Sequence, residues 1–412
     1  MKNQPSTINH LPLDYDLIVV GGGIVGTTLA SALHNSGLNI CIIEAQTLAQ
    51  AAAKKQAYAL SILTGQILEE IGVWQDIFPH IGKFRHIRLS DADYAGIVKF
   101  ESADLGREFL GYVAEHKFVL SVLQNFTQHC SNITWLESAQ VKEVKYEASG
   151  AEVSLKVGDE VKRVKTRLVV GADGARSRLR QEAGITTRGW KYWQSCVAFT
   201  VKHQAERNDI AFERFWQTGP MGVLPLPGNR CQIVWSAPHE LAKTLQAMDE
   251  EQFIHKLEYH TGGLLGNLEL VSDRFLFPVQ LMQSNNYTKH RLALVGDAAH
   301  CCHPVGGQGL NLGIRDAAAL AQVLREASQQ GEDIGEIGVL KRYENWRKQE
   351  NLTILGLTDF LNRLFSPNFL PIMVIRRFGL WLLSNIRPMR IFTLQLMTGL
   401  KGRKPRLAAI DT

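Results

Sequence analysis

Three observations predict an α/β protein: a Rossmann-like nucleotide-binding domain, an inserted and mostly antiparallel β-sheet domain, and a C-terminal helical tail. Residues 16–44 read as strand, glycine turn, helix, strand. Two later apolar runs, residues 167–170 and 291–295, also break into glycine-rich turns. Between Gly184 and about Met282, aromatic and β-branched runs alternate with Gly/Pro turns. The first two belong to a doubly wound parallel sheet and the third to an antiparallel one.

The opening segment is DLIVVGGGIVGTTLASALHNSGLNICIIEA. Residues 17–20 are an apolar β-rich run, a helical stretch with small residues reaches His34, Gly37 ends it, and residues 40–43 form a second apolar run closed by Glu44. The second strand runs into GADGARSRLR and the third into GDAAHCCHPVGGQGLNLGIRDAAALAQVL, whose end is helical. In the inserted region the runs are residues 192–201, 210–216, 231–235 and 275–281, with turns at Thr218-Gly219-Pro220 and Pro227-Gly228-Asn229. This gives a discontinuous nucleotide-binding domain over 1–77, 112–184 and 283–360, a substrate domain over 78–111 and 185–282, and a tail over 361–412. A chain of 412 residues suits two packed domains.

Hydrophobic residues make up 45% and charged residues 21%, which excludes wholesale disorder and a multi-span membrane protein. The net charge of +5 is uneven, because residues 361–412 carry +8 and the rest carries −3. That distribution argues against a nucleic-acid surface and for a local contact of the tail with an anionic surface. The tail's apolar stretches, 364–375, 378–386 and 391–400, are each shorter than the ~20 residues that span a bilayer. They fit amphipathic helices lying on a surface, or a helical pair packed on the body or at an oligomer contact. Six scattered cysteines form no disulfide framework and the N-terminus has no signal-peptide core, so a cytoplasmic, peripherally membrane-associated protein is expected.

In Gly21-x-Gly23-x-x-Gly26, the first glycine permits a tight turn and the second lets backbone approach a pyrophosphate. The third allows close helix–strand packing. The helix N-terminus then offers free N–H groups and a positive dipole end to phosphate. Glu44 follows at the end of the next strand, where a carboxylate accepts ribose hydroxyls and disfavours NADP; NAD and FAD remain. Asp173 lies in the second glycine motif, which alone is also an ordinary Asp-Gly turn. Asp297 precedes a loop with Pro304, Gly307, Gln308, Gly309, Leu310 and Asn311, a second place for backbone to cradle a cofactor. His300, Cys301, Cys302 and His303 are consecutive rather than at zinc-ligand spacing, so no metal site is expected.

Together GGGIVG…E, GADGARS and GDAAHCCHPVGGQGLNLGIRD resemble the single-component flavoprotein aromatic hydroxylases built like 4-hydroxybenzoate hydroxylase. The segment HPVGGQGLNLGIRDAAAL is most similar to the ubiquinone-biosynthesis hydroxylases, which oxygenate polyprenylated phenols. The resemblance implies FAD as cofactor, NADPH or NADH as reductant and O2 as co-substrate, with oxygen delivered through a flavin C4a-hydroperoxide. It implies that Gly21, Gly23, Gly26 and Glu44 hold the ADP half of FAD and that Asp297 binds the ribityl chain. It also implies that the backbone from Gly307 to Asn311 faces pyrophosphate and flavin, with Pro304 beside the reacting carbon, and that Asp173 serves both FAD and the nicotinamide. Two positions depart from the family pattern: Gln56 and Lys117 stand where relatives carry arginine.

The inserted sheet would wall the substrate site, with Trp216, Met221, Val223, Leu224 and Pro225 as candidates and plain core packing as the competing reading. The implied partners are a lipophilic prenylated phenol, a membrane surface, and a quinone-biosynthesis complex or a second copy of the chain. Two other functions stay open: a related flavoprotein that reduces or epoxidises an isoprenoid, and a catalytically inactive FAD-binding scaffold.

Overall fold

The computed structural model describes residues 13–92, 96–366 and 369–407. Its first sheet has a parallel centre, with neighbours in the order Leu292–Leu294, Glu160–Gly171, Tyr15–Val20, Ile40–Ile43 and Ile133–Leu136. Leu17, Ile18, Val19, Ile40, Cys41 and Ile42 are wholly buried, as apolar central strands covered on both faces must be. The helices Ile24–Ala32 and Gln308–Gln329 pack against one another over this sheet. A Cβ on Gly313 would stand 2.7 Å from Val25 Cγ2, so the absence of a side chain there sets the helix separation. Strands Ala139–Tyr146 and Ala151–Val157 extend the sheet as an antiparallel meander onto Glu160–Gly171.

Among the described residues the second sheet has nine strands, with Thr187–His203 and Arg230–Pro238 at its centre and Gly219–Leu226 and Ile210–Trp216 beyond. One face is covered by the helices His239–Ala247 and Glu250–Thr261, through Ala242, Leu245, Phe253 and Leu257. The residue pattern predicts a mostly antiparallel sheet here, and the two helices add to it. The i, i+4 pair Phe253 and Leu257 was the missed helical signal.

The segment 78–111 divides between two sheets. His86–Asp91 and Ile97–Glu101 join the edge of the large sheet, while Gly82–Phe84 pairs with Gly111–Glu115 in a small sheet with Ala57–Ser61. His300–Cys301, from the nucleotide-binding part of the chain, adds a further strand to the large sheet.

The helix Ile337–Phe365 runs past the expected start of the tail at residue 361, and Leu370–Asn385 and Arg387–Met397 follow. The tail is docked on one side. Arg376 is buried against Asp91 at 2.7 Å, and Arg390 holds Asp104 with two bonds of 3.0 Å. With Arg363 on Asp359, three of the tail's basic residues are therefore spent on the protein itself. Among the described residues, no helix is long and apolar enough to cross a membrane.

Candidate active site

Four sequence-distant motifs converge because each follows the carboxyl end of a strand in the parallel sheet. Val20 leads into Gly21, Ile43 into Glu44, Gly171 into Asp173, and Leu294 through Val295 and Gly296 into Asp297. A crevice at that end is where open α/β sheets take ligands.

Gly21 has φ +110°, and a Cβ there would stand 2.7 Å from the Ala172 carbonyl carbon, so only glycine fits where the two motifs touch. Gly23 is the N-cap of the helix Ile24–Ala32, and no atom lies within 4 Å of the Cβ it lacks. Open space thus stands over the backbone just where the helix N-terminus presents its free N–H groups. The Gly22 N–H donates to Glu44 Oε2 at 2.8 Å and the Gln46 N–H to Oε1 at 3.0 Å, which fixes the carboxylate while leaving lone pairs for a ribose.

Asp173 is a turn cap: Oδ2 accepts from the Arg178 and Leu179 N–H groups at 2.9 and 3.3 Å, while Oδ1 is buried without a partner. Arg180, which the sequence did not single out, donates to the carbonyls of Ala175 and Ala298 and ties the second motif to the third. Asp297 opens onto the cleft yet sits deep among protein atoms. That enclosure raises its carboxyl above the usual range, against the pull of His300 and Lys54.

The third loop is held from behind by Asp316, whose Oδ2 accepts from Gly296 N–H at 3.2 Å and His300 Nε2 at 2.6 Å. Its Oδ1 accepts from Arg347 at 2.8 Å and Asn351 at 2.9 Å. Burial alone would raise this carboxyl, but His300 and Arg347 together hold it at about 2. Beyond Pro304 the chain takes a left-handed step at Gly306 and Gly307, φ +68° and +61°. A Cβ on Gly307 would lie 2.8 Å from Ala59 Cβ, and one on Gly306 would overlap Met397 Cε of the tail. The Asn311 side chain is fully used, accepting from Ser61 N–H and Thr64 Oγ1 and donating to the carbonyls of Ala59 and Gly307. Its task is to hold the loop, which leaves the backbone from Gly307 to Asn311 to face a ligand. Gln308 Oε1 is buried without a partner, Gly309 has only Cys302 Sγ near it, and Leu310 packs on the sheet core.

Gln56 accepts from the Tyr58 hydroxyl at 3.0 Å, and its carbonyl takes the His116 N–H at 2.7 Å. Lys117 is exposed at the start of the helix His116–Gln128. Among the described residues no group of three or more His, Cys, Asp or Glu is placed to hold a metal; His300 bonds Asp316 and His303 bonds Gln194.

The expected substrate wall needs correction. Met221 and Val223 point into the core under the two covering helices, and the Trp216 ring lies 4.5 Å from that of His260 on the same face. Pro225 shares their side of the strand, with its carbonyl against Gly82. Only Leu224 of the five alternates to the opposite face, in a cluster with Val305, Phe365 and Leu394. On that face stands Glu213, unmarked by the sequence. Its Oε2 lies 3.4 Å from the Gly306 N–H, and burial pushes its carboxyl up to about 7.

Residues 14–351 match the family model for the FAD binding domain. The chain belongs to this family of FAD-dependent monooxygenases. It is 54% identical over 403 residues to an uncharacterized Synechocystis protein, covering 96% of this chain and 95% of that one. It is 35% identical over 395 residues to ubiquinone hydroxylase UbiL of Rhodospirillum rubrum, covering 95% and 91%. The fold is shared with p-nitrophenol 4-monooxygenase PnpA of Pseudomonas putida at a TM-score of 0.80 and 18% identity, over 95% of this chain and 100% of that one. The residues of this family member fit FAD: open space over Gly23 suits a pyrophosphate, and Glu44 is preset for a ribose. Asp297 and the unpartnered Gln308 Oε1 supply polar atoms along the rest of the crevice.

Proposed function

We propose that this monooxygenase hydroxylates the aromatic ring of a polyprenylated phenol in the biosynthesis of ubiquinone or a related quinone. The observation that carries the reading is its relation, over nearly the full length of both chains, to ubiquinone hydroxylase UbiL. FAD, when bound, supplies the oxygen-activating redox chemistry, with NADPH or NADH as reductant and O2 as co-substrate. Gly21, Gly23 and Gly26 bring backbone and helix dipole to the pyrophosphate, Glu44 holds the ribose, and Asp297 with the loop from Gly307 to Asn311 orients the ribityl and ring portions. Pro304 and the large sheet enclose the phenol and exclude water from the reacting atoms. Asp173 keeps the loop between the first and third motifs in shape, with Gln56 and Lys117 at the cofactor's edge.

The tail supports a lipophilic substrate drawn from a membrane, at its cytoplasmic face. On the helix Leu370–Asn385 the buried side carries Arg376 and Leu380, while Phe378 and Trp381 are 58% and 53% exposed. Leu370, Val374, Phe378 and Trp381 form one outward stripe at helical spacing, continued by exposed Met389 and Phe392. Such a stripe beside basic residues suits insertion among anionic lipid headgroups.

Mass spectrometry of lipid extracts tests the function. A strain lacking the gene should accumulate a prenylated phenol one oxygen short of the next intermediate, restored on complementation. An unchanged set of quinone intermediates overturns the assignment.

A further inference from the structure

Glu213 occupies the middle of the strand Ile210–Trp216, on the sheet face turned away from the covering helices and toward the Pro304–Gly307 loop. Among the described residues it makes no ion pair, and its one hydrogen bond is the long contact with Gly306 N–H. A carboxylate among apolar neighbours without a counter-charge costs stability, and such groups cluster where chemistry requires them. Directly across the sheet from Glu213 is Gly222, and Val234 follows on the next strand. A Cβ on Gly222 would be 3.5 Å from Glu213 Oε2, so the missing side chain leaves room beside the carboxylate. Val234 packs in a cluster with Tyr192, Cys196 and Val279. The result is a stretch of sheet face, Gly222 and Val234 flanked by the buried Gln232 and Ser236, with the Glu213 carboxylate at its edge, next to the loop whose backbone faces the cofactor.

We propose that Glu213 receives the ring hydroxyl of the phenol, with Gly222 providing the space in which the ring lies. This rests on the substrate class proposed above. Glu213 first accepts a hydrogen bond from the phenol O–H. In the productive complex that O–H bond breaks, its electron pair stays on the phenol oxygen, and the proton forms an O–H bond at a Glu213 carboxylate oxygen. The ring gains electron density at its ortho and para carbons, as attack on an electrophilic oxygen requires. No oxidant or reductant enters this step. A carboxyl brought up to about 7 is a stronger base than an ordinary carboxylate and stands closer to a phenol's ~10, which makes the proton transfer less uphill while the carboxylate is still partly ionised at neutral pH. The titratable and charged side chains on this face from the packed elements are Cys196, His303, Tyr192 with its partner Asp359, and the buried Asp91–Arg376 pair. Burial pushes the Cys196 thiol up to about 12, raises the Tyr192 hydroxyl and lowers His303 to about 3, so all three are uncharged in the neutral range, while Asp91 is ion-paired with Arg376 at 2.7 Å.

The test is equilibrium binding to the oxidised FAD-loaded enzyme without reductant, read from the flavin absorbance. The probes are ortho-geranylphenol and its methyl ether. In the wild type, phenol binding should tighten as pH rises through about 7, while the ether shows no break. At about pH 8, Glu213→Gln should bind the phenol about tenfold more weakly, lose the break, and bind the ether as before. Glu213→Asp should restore part of the phenol affinity and the break in its pH profile, with the carboxylate drawn back. Gly222→Leu should weaken both probes by filling the ring space. Glu213→Gln with unchanged phenol affinity and pH profile overturns this proposal alone, as does undiminished binding by Gly222→Leu. A wild type that binds neither probe overturns the phenol reading and this proposal together.

Discussion

Replacing Gly26 and Gly23 by alanine, one at a time, separates what the first glycine motif does for the fold from what it does for the cofactor. A methyl on Gly26 would overlap the Gly21 carbonyl oxygen and stand 3.1 Å from Ala172 Cβ and 3.2 Å from Val19 Cγ1. Relief means moving the helix Ile24–Ala32 off the strand Tyr15–Val20 by about 1 Å, in a layer where both are buried. Overpacking typically costs about 1–3 kcal/mol, and a backbone obstacle places this case near the upper end. For a chain of 412 residues unfolding as a unit, that is a melting-temperature drop of about 3–4 °C. Gly23 is different: its φ of −74° suits any residue, and its missing Cβ meets nothing within 4 Å. Gly23→Ala should therefore cost about 1 kcal/mol or less through the poorer N-cap. Its methyl would nevertheless stand in the space read here as the pyrophosphate's, weakening FAD at least about tenfold. Thermal unfolding of flavin-free protein and fluorescence titration with FAD measure the two effects separately. Gly26→Ala with wild-type melting, or Gly23→Ala with wild-type FAD affinity, refutes the respective half of the reasoning.

Arg347→Met leaves Asp316 buried with the Gly296 N–H, His300 and Asn351 bonded to it and no arginine, and should cost about 3–5 kcal/mol in chemical denaturation. Asp316 is held at about 2, below its ordinary 3.8, so its contribution is complete above about pH 4 and lost as pH falls toward 2. The variant should consequently denature at higher pH than the wild type during acid titration. Glu213 has the opposite sign. Its folded value of about 7 lies above the ordinary 4.5, so the flavin-free protein should lose up to about 3 kcal/mol as pH rises from 4.5 through 7. Glu213→Gln should remove that loss and melt higher than the wild type at about pH 8, with the difference closing below pH 4.5. Replacing Phe378 and Trp381 together by serine should leave melting unchanged, because both are exposed, and reduce co-sedimentation with anionic phosphatidylglycerol vesicles at least about tenfold. Undiminished sedimentation removes this stripe from the membrane contact.

Several features of the crevice were legible in the residues alone because they are local requirements of the backbone. A left-handed turn needs Gly21, a helix pressed on a strand needs Gly26, and an acceptor at a strand end needs an acid where Glu44 stands. Each depends on neighbours within a few dozen positions, so residue type and spacing carry the information. The face of the strand Gly219–Leu226 was not legible. Its run of apolar residues offers no polar alternation, and with a period of two a shift of one residue exchanges the faces. Thus Met221 and Val223 went to the core under the covering helices and Leu224 to the cluster with Val305 and Phe365 on the other face.

Residue type and spacing by themselves determined that this chain builds a Rossmann-like crevice with glycine turns and an acid for a dinucleotide. The roles of Asp316, Glu213 and Met397 were decided only by tertiary packing. Asp316 meets Arg347 on another helix, Glu213 meets Gly306 from another sheet, and Met397 returns from the tail to rest on the Gly306 turn. These partners are 31, 93 and 91 residues apart in sequence. No backbone rule acts over such separations, and only the pairing of strands and the docking of helices bring those side chains together.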